Sequence, residues 1–130
     1  MNAALWTAQA VLAVVFLVSG TLKSRWPKDR LIASGQTGVA PFPLAVIRTT
    51  AVCELLAVAG LILPWATGIA PVLTPVAAVG LSVVMIGAVT SHGSLLRADR
   101  TAGRGSAEAK NVAANLVILA LCLFVAAGRF

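Results

Sequence analysis

The stretch that decides the fold is residues 48–64, RTTAVCELLAVAGLILP. It is apolar apart from a cation at its start, two threonines and one acidic residue, Glu54, within the apolar run. With the apolar residues before it, this stretch forms a segment of about 20 residues, long enough to cross a hydrocarbon layer as a helix. The whole chain is similar in character, with 59% hydrophobic and 11% charged residues. Because soluble domains carry about a quarter charged residues, the composition indicates a membrane protein.

Four apolar stretches can be marked off by their polar flanks, at about residues 3–22, 44–63, 69–90 and 112–128. A chain of 130 residues has room for these spans but not for a separate soluble domain. The sequence therefore predicts one all-α domain, residues 1–130, folded as an integral membrane four-helix bundle. We expect its helices to be antiparallel and joined by short connections.

Eight of the ten basic residues lie in two of the three connections, and the turn PWATG at residues 64–68 has none. Because Lys and Arg are retained on the cytoplasmic side, we expect both basic loops to be cytoplasmic and both termini to face outward. The net charge of +6 is then explained by topology and by contact with anionic lipid headgroups. We expect the lipid bilayer, and no nucleic acid, as the surrounding partner.

Glu54 is the only acidic residue within any of the four spans. At 1.5 Å per residue it lies roughly 9 Å beyond Arg48, between a third of the way across the bilayer and its midplane. A carboxyl group at that depth must be protonated, hydrated or paired with a cation. Arg48 is about 120° away around the helix axis, so Lys23 of the first span is the better candidate partner.

Polar side chains of the other spans fall near the same depth. In the first span Ser19 and Lys23 share one helical face, and in the fourth Asn111 and Asn115 do so. The third span closes on His92, the only histidine. The sequence therefore predicts one ligand-binding or proton-handling cluster near the cytoplasmic leaflet, formed by Ser19, Lys23, Arg48, Glu54, His92, Asn111 and Asn115.

These positions also carry a resemblance to a known family. The segments FLVSGTLK (residues 16–23) and ELLAVAGLILP (residues 54–64), a third span that closes on His92 and an asparagine-bearing fourth span resemble the DoxX-like family of small four-span bacterial membrane proteins. Some members are linked to quinone-dependent thiosulfate oxidation and to membrane-bound redox assemblies. The resemblance picks out Gly20, Lys23, Glu54 and His92, and it implies a multi-pass protein of the bacterial plasma membrane.

Each of these residues also has a simpler structural interpretation. Lys23 can be a topology anchor at the water boundary, and His92 can be an interfacial residue at a helix end. Asn111 and Asn115 can join helices by amide hydrogen bonds. Glu54 can belong to a fixed ion pair, although a buried membrane carboxylate favours a functional role. The sequence leaves these alternatives open.

Small residues and cysteines complete the prediction. Glycines allow helices to approach closely, and we expect such contacts at Gly20, Gly60, Gly80 and Gly87.

Cys53 and Cys122 differ in depth by more than a disulfide allows, and the chain has no CxxC pair and no second histidine. We therefore expect no disulfide, no metal and no covalently bound cofactor, and a quinone is the one cofactor that the resemblance suggests.

Two classes of function remain. The preferred hypothesis is a non-catalytic membrane subunit of a redox assembly, whose polar cluster holds a quinone or moves its protons near the cytoplasmic leaflet. The alternative is a binding, transport or purely structural membrane subunit, for a small molecule, a lipid or a larger complex. We expect a hetero-complex partner or a homo-oligomer, and whether the chain is an enzyme on its own stays open. A small multidrug exporter is rejected. Such proteins carry their essential glutamate in the first span, and the first span of this chain carries no acid.

Overall fold

The computed structural model describes residues 2–130, and within them it contains helices and no strand. The four long helices are α1 (Asn2–Arg25), α3 (Leu44–Thr67), α4 (Leu73–Thr101) and α5 (Ala109–Arg129). All four are long and apolar enough to cross a membrane. A short helix α2 (Lys28–Ala33) and a 3-10 helix (Thr37–Val39) lie between α1 and α3. The predicted all-α, four-span antiparallel bundle is confirmed.

The helix of the third predicted span, α4, differs from its predicted bounds at both ends. It begins at Leu73 rather than near Ile69, because the residues before it form a turn in which the amide of Leu73 donates to the carbonyl of Ala70. It then continues to Thr101, so Arg97 and Arg100 lie on a helix and not in a loop. The predicted turn at residues 64–68 is also largely helical, because α3 continues through Pro64 to Thr67. Gly68 follows as its C-cap in the left-handed conformation, with φ 72°.

The four helices form two closely packed pairs, α1 with α3 and α4 with α5. We call the end that holds Trp6 and Trp65 the tryptophan end. We call the opposite end, with the two longer connections, the basic end. At the tryptophan end the pairs are joined by a core of large apolar side chains, which includes Leu12, Leu61, Leu81 and Val125. This core fixes the two pairs against each other.

The four glycines that were expected at helix contacts behave in two ways. A Cβ atom at Gly20 would lie 2.9 Å from Cγ of Leu55, and one at Gly60 would lie 2.9 Å from Cβ of Ala77. These two glycines therefore sit where helices approach closely. The prediction is wrong for Gly80 and Gly87, since a Cβ atom at either would have no neighbour within 4 Å. Both are exposed on α4, and no other helix within residues 2–130 closely approaches either of them.

Candidate functional site

A cavity of about 440 Å³ lies between the two helix pairs, toward the basic end. Apolar side chains such as Phe16, Ile47, Met85 and Ile118 form much of its wall. The cavity exists because the pairs meet closely at the tryptophan end and leave space between them farther along. Polar side chains also reach it from all four long helices, namely Ser19, Lys23, Glu54, His92, Asn111 and Asn115.

The first polar group on the cavity wall is an ion pair between α1 and α3. Nζ of Lys23 lies 3.0 Å from Oε1 of Glu54, and the hydroxyl of Ser19 donates to Oε2 of Glu54 at 3.4 Å. Ser19 and Lys23 are one helical turn apart, so both side chains reach the same carboxylate. The Glu54 side chain is 1% exposed and that of Lys23 is 16% exposed. A charge so deeply buried is tolerated because its partner is present.

Arg48 does not belong to this cluster, and its inclusion is corrected here. Its guanidinium donates to the backbone carbonyl of Lys23, and it does not line the cavity. Carbonyls in the last turn of a helix lack amide partners within the helix, and cationic side chains commonly satisfy them. Arg48 therefore ties the end of α1 to α3, while Lys23 makes the contact with Glu54.

The second polar group is an acid–base pair between α4 and α5. Nδ1 of His92 lies 2.8 Å from Oε2 of Glu108, the residue just before α5. The amide of Asn111 donates to the same oxygen at 2.9 Å, and the hydroxyl of Thr37 donates to Oε1 at 2.7 Å. Burial of the Glu108 carboxyl favours a raised pKa, but the hydrogen bonds from Asn111, Thr37 and His92 outweigh it and lower the pKa. Glu108 is therefore held as a carboxylate.

Glu108 was missed by the sequence prediction, which gave it no role. In the structure it is only 8% exposed. Two signals in the sequence point to it. An acid directly before an apolar helix is favoured by the helix dipole, and an acid three positions before Asn111 can share a helical face with that amide. The contact with His92 depends on tertiary packing and has no local signal.

Residues 35–42, which we call the cap segment, cover the cavity at the basic end. Gly35, Gln36, Gly38, Val39 and Phe42 of this segment line the cavity. Two hydrogen bonds attach the segment to the second helix pair, from Thr37 to Glu108 and from the Ser91 hydroxyl to the Gly38 carbonyl at 2.7 Å. A Cβ atom at Gly38 would lie 2.8 Å from Nε2 of His92, so glycine permits this close approach. The cap segment therefore connects the first helix pair to the second.

Asn115 differs from the paired residues of the wall, Lys23, Glu54, His92 and Asn111. It lines the cavity one turn deeper than Asn111, and its carboxamide makes no side-chain hydrogen bond to any residue between 2 and 130. A carboxamide has two donors and an acceptor. Asn115 is therefore a free hydrogen-bonding group that faces the cavity.

The tryptophan end contains a different polar cluster, which the sequence prediction also missed. Arg129 is 6% exposed, and its guanidinium lies 4.3 Å from the ring centroid of Trp65 and 5.4 Å from that of Trp6. Nε donates to Gln9 at 2.7 Å, and Nη1 donates to Asn2 at 2.7 Å. Gln9 in turn donates to the carbonyl of Leu61 at 2.5 Å. None of these residues lines the cavity, and their hydrogen bonds fasten α1 to α3 and α5.

The cavity thus combines an apolar wall with two ionisable pairs and the free carboxamides of Gln36 and Asn115. Such an arrangement can hold an apolar molecule that carries a polar head, and its acidic and basic groups can accept or donate protons there. No curated protein and no solved structure gives a significant match to the chain. The model of the DoxX-like family matches residues 7–125, which include every polar residue of the cavity. The chain belongs to the DoxX-like family of membrane proteins.

Proposed function

We propose that this protein is a membrane subunit that holds a quinone in the cavity between its two helix pairs. In this proposal it serves a redox assembly in which a partner protein carries out the oxidation chemistry. The observation that carries the proposal is that the free carboxamide of Asn115 and the Lys23–Glu54 pair line the same mainly apolar cavity. A quinone has the matching chemistry, because two carbonyl acceptors sit on an apolar ring.

Hydrogen-bond donors are available on both helix pairs. On α5 the amide of Asn115 is free, and on α1 the ammonium of Lys23 uses one of its three donors on Glu54. A quinone ring between the helix pairs can therefore accept one hydrogen bond from each side. This accounts for the polar residues on facing walls better than a purely structural role, in which Asn115 would have a partner.

Reduction of a quinone also requires protons, and the cavity wall carries groups able to exchange them. Glu54 and His92 both line the cavity, and His92 is hydrogen-bonded to Glu108, which the cap segment contacts through Thr37. These groups would connect the quinone to water at the basic end. We place this end in the cytoplasm of a bacterium, because the basic loops are retained on that side.

The volume of the cavity also supports the proposal. About 440 Å³ falls within the range of roughly 300–1,000 Å³ that is usual for small-molecule sites. It accommodates a substituted ring but not a complete isoprenoid tail. The tail would therefore extend beyond the cavity into the bilayer.

The test uses two carboxamides that differ in surroundings. In Asn115→Leu the change removes a free amide from the cavity, and no internal hydrogen bond is lost. In Gln9→Leu the same change removes the bonds to Leu61 and Arg129, far from the cavity. Each variant is purified in mild detergent after expression in a bacterium that makes quinone. Bound quinone is then extracted and quantified per mole of protein, and thermal unfolding is followed in parallel.

We expect the parent protein to retain quinone in a stoichiometric amount. Asn115→Leu should lose most of it and unfold at the parent temperature, whereas Gln9→Leu should unfold earlier and keep its quinone. Absence of quinone from the parent protein, both as purified and after incubation with added quinone, would contradict the proposal. Retention of a phospholipid in its place would favour the alternative of a lipid-binding subunit.

A further inference from the structure

We propose that the cavity opens sideways into the bilayer between α3 and α4, at Gly87. We propose further that its ligand enters through this opening from the lipid phase, with its polar head first and its tail following. This inference rests on the proposed function, and it adds the route and the class of ligand. The ligand would be a molecule with a polar head and a long hydrocarbon tail. A tail-free polar solute that arrives from water would not need this route.

The first support is the way in which α3 and α4 separate. At the tryptophan end they touch, because the hydroxyl of Thr74 donates to the Gly60 carbonyl at 3.0 Å and Gly60 adjoins Ala77. Toward the basic end the cavity lies between these helices, and Thr50 and Gly87 both line it. The helices therefore diverge from a closed contact toward an open seam.

The second support is that residues of this seam face both the cavity and the outside. Val46 of α3 lines the cavity and is 43% exposed, and Val83 of α4 lines it and is 65% exposed. Gly87 lies one turn beyond Val83, is exposed, and also lines the cavity. Residues that border a cavity and the surface at once mark an opening. The side chains at its rim are apolar, so hydrocarbon can pass.

The other routes are more restricted. The cap segment covers the basic end and is attached to α4 and α5 through Ser91 and Glu108. On the opposite seam, between α1 and α5, one wall residue, Ala114, is exposed, and the polar wall residues Ser19, Lys23 and Asn115 are partly buried. At the tryptophan end the apolar core fills the space between the pairs. The α3–α4 seam is therefore the route best suited to an apolar tail.

Glycine at position 87 leaves this opening free. A Cβ atom there would meet nothing within 4 Å, so a larger side chain can be accommodated without disturbing the fold. Gly80 provides a matched control, because it lies two turns away on the same helical face, is exposed, and is equally free of neighbours. It does not line the cavity. The two glycines differ in their relation to the opening and in little else.

The experiment compares Gly87→Phe with Gly80→Phe in the full chain, reconstituted in lipid nanodiscs. Two probes share one benzoquinone ring, of which one has no tail and the other has a decyl tail. The dissociation constant of each probe is measured by equilibrium binding, with the parent protein alongside. Thermal unfolding of each variant checks that the bundle is intact.

We expect Gly87→Phe to weaken binding of the decyl-tailed probe on the order of tenfold, while Gly80→Phe binds it as the parent does. The tail-free probe should bind all three proteins alike. Parent-like binding of the tailed probe by Gly87→Phe would overturn the opening at Gly87, and so would an equal loss of both probes, which would place the new ring in the head site. A parent protein that binds neither probe would instead refute the proposed function.

Discussion

The two ends of this bundle both bury charged side chains, but in opposite ways. At the tryptophan end Arg129 lies near two indole rings, donates to Gln9 and Asn2, and does not line the cavity. At the basic end the Lys23–Glu54 and His92–Glu108 pairs border a cavity that no side chain fills. Burial and hydrogen bonding are thus common to both ends, whereas an acidic partner and adjoining space are found only at the basic end.

This difference shows that a buried charge by itself does not identify a binding site. Burial of a polar group is expensive at either end, and hydrogen bonds compensate for most of it at both, although Nη2 of Arg129 makes none within residues 2–130. What distinguishes the basic end is the combination of space with a polar group that lacks a partner, Asn115. The two ends should therefore respond differently to substitution, and the following variants test this.

The largest effect on stability is expected at Glu54. Glu54→Gln leaves the ammonium of Lys23 without its counter-charge in a buried position, which should cost about 3 kcal/mol of unfolding free energy. Lys23→Met alone should cost a similar amount, and the double variant should cost less than the sum. Chemical denaturation in detergent measures all three. Strictly additive losses would show that the two side chains do not interact in the protein.

The next effect is expected at the tryptophan end. Arg129→Met removes two charge-assisted hydrogen bonds and two cation–π contacts, and we expect a loss of about 2 kcal/mol. The control is Arg100→Met, at an exposed arginine on α4, which should change stability by less than about 0.5 kcal/mol. Bound quinone should be unchanged in both. Loss of quinone in Arg129→Met with the fold retained would mean that the closed end also contributes to binding.

A smaller effect distinguishes glycines at helix contacts from glycines that face outward. Gly20→Ala places a methyl group 2.9 Å from Cγ of Leu55 and 3.2 Å from the carbonyl of Ala51, and it should cost about 1–2 kcal/mol. Gly80→Ala meets no neighbour and should be neutral or stabilising by less than about 1 kcal/mol. Thermal unfolding compares the two. Equal effects would contradict the close approach of α1 and α3.

The smallest effect concerns pH and the attachment of the cap segment. The pKa of Glu108 is below its ordinary value of 4.5 in the folded protein, so its carboxylate stabilises the fold above pH 4.5. That contribution should be lost as the pH falls from 4.5 through the lower folded pKa. Glu108→Gln should cost on the order of 1 kcal/mol at neutral pH, and the difference from the parent should shrink in acid. A constant difference between the two proteins over this range would contradict a lowered pKa.

Much of the fold could be predicted from the sequence because hydropathy determines it locally. Apolar segments with basic flanks predicted four helices without reference to any contact between them. The depth argument brought Lys23 and Glu54 to the same level because helical rise converts sequence position into distance. The structure places these two groups 3.0 Å apart.

What could not be predicted depends on the arrangement of helices around the bundle. Depth alone suggested one polar cluster that included Arg48, whereas the helices divide the polar groups into two pairs on facing walls. Glu108 and Arg129 were overlooked because each lies at the end of a span, where charged residues are usually solvated. Gly80 and Gly87 looked like contact residues because small side chains permit helix contacts, but which face packs is decided by tertiary structure.

The central claim is that the space at the basic end is a ligand site and the closed tryptophan end is not. Photo-crosslinking tests it most directly, with an azido-benzoquinone added to the protein in lipid nanodiscs and the labelled residues located by mass spectrometry. The account predicts labels on cavity residues of both helix pairs, such as Ile47, Met85 and Asn115, that excess unlabelled quinone suppresses. Labels that resist competition and fall evenly on lipid-facing residues such as Leu56 and Val79, or that concentrate around Gln9, would contradict it.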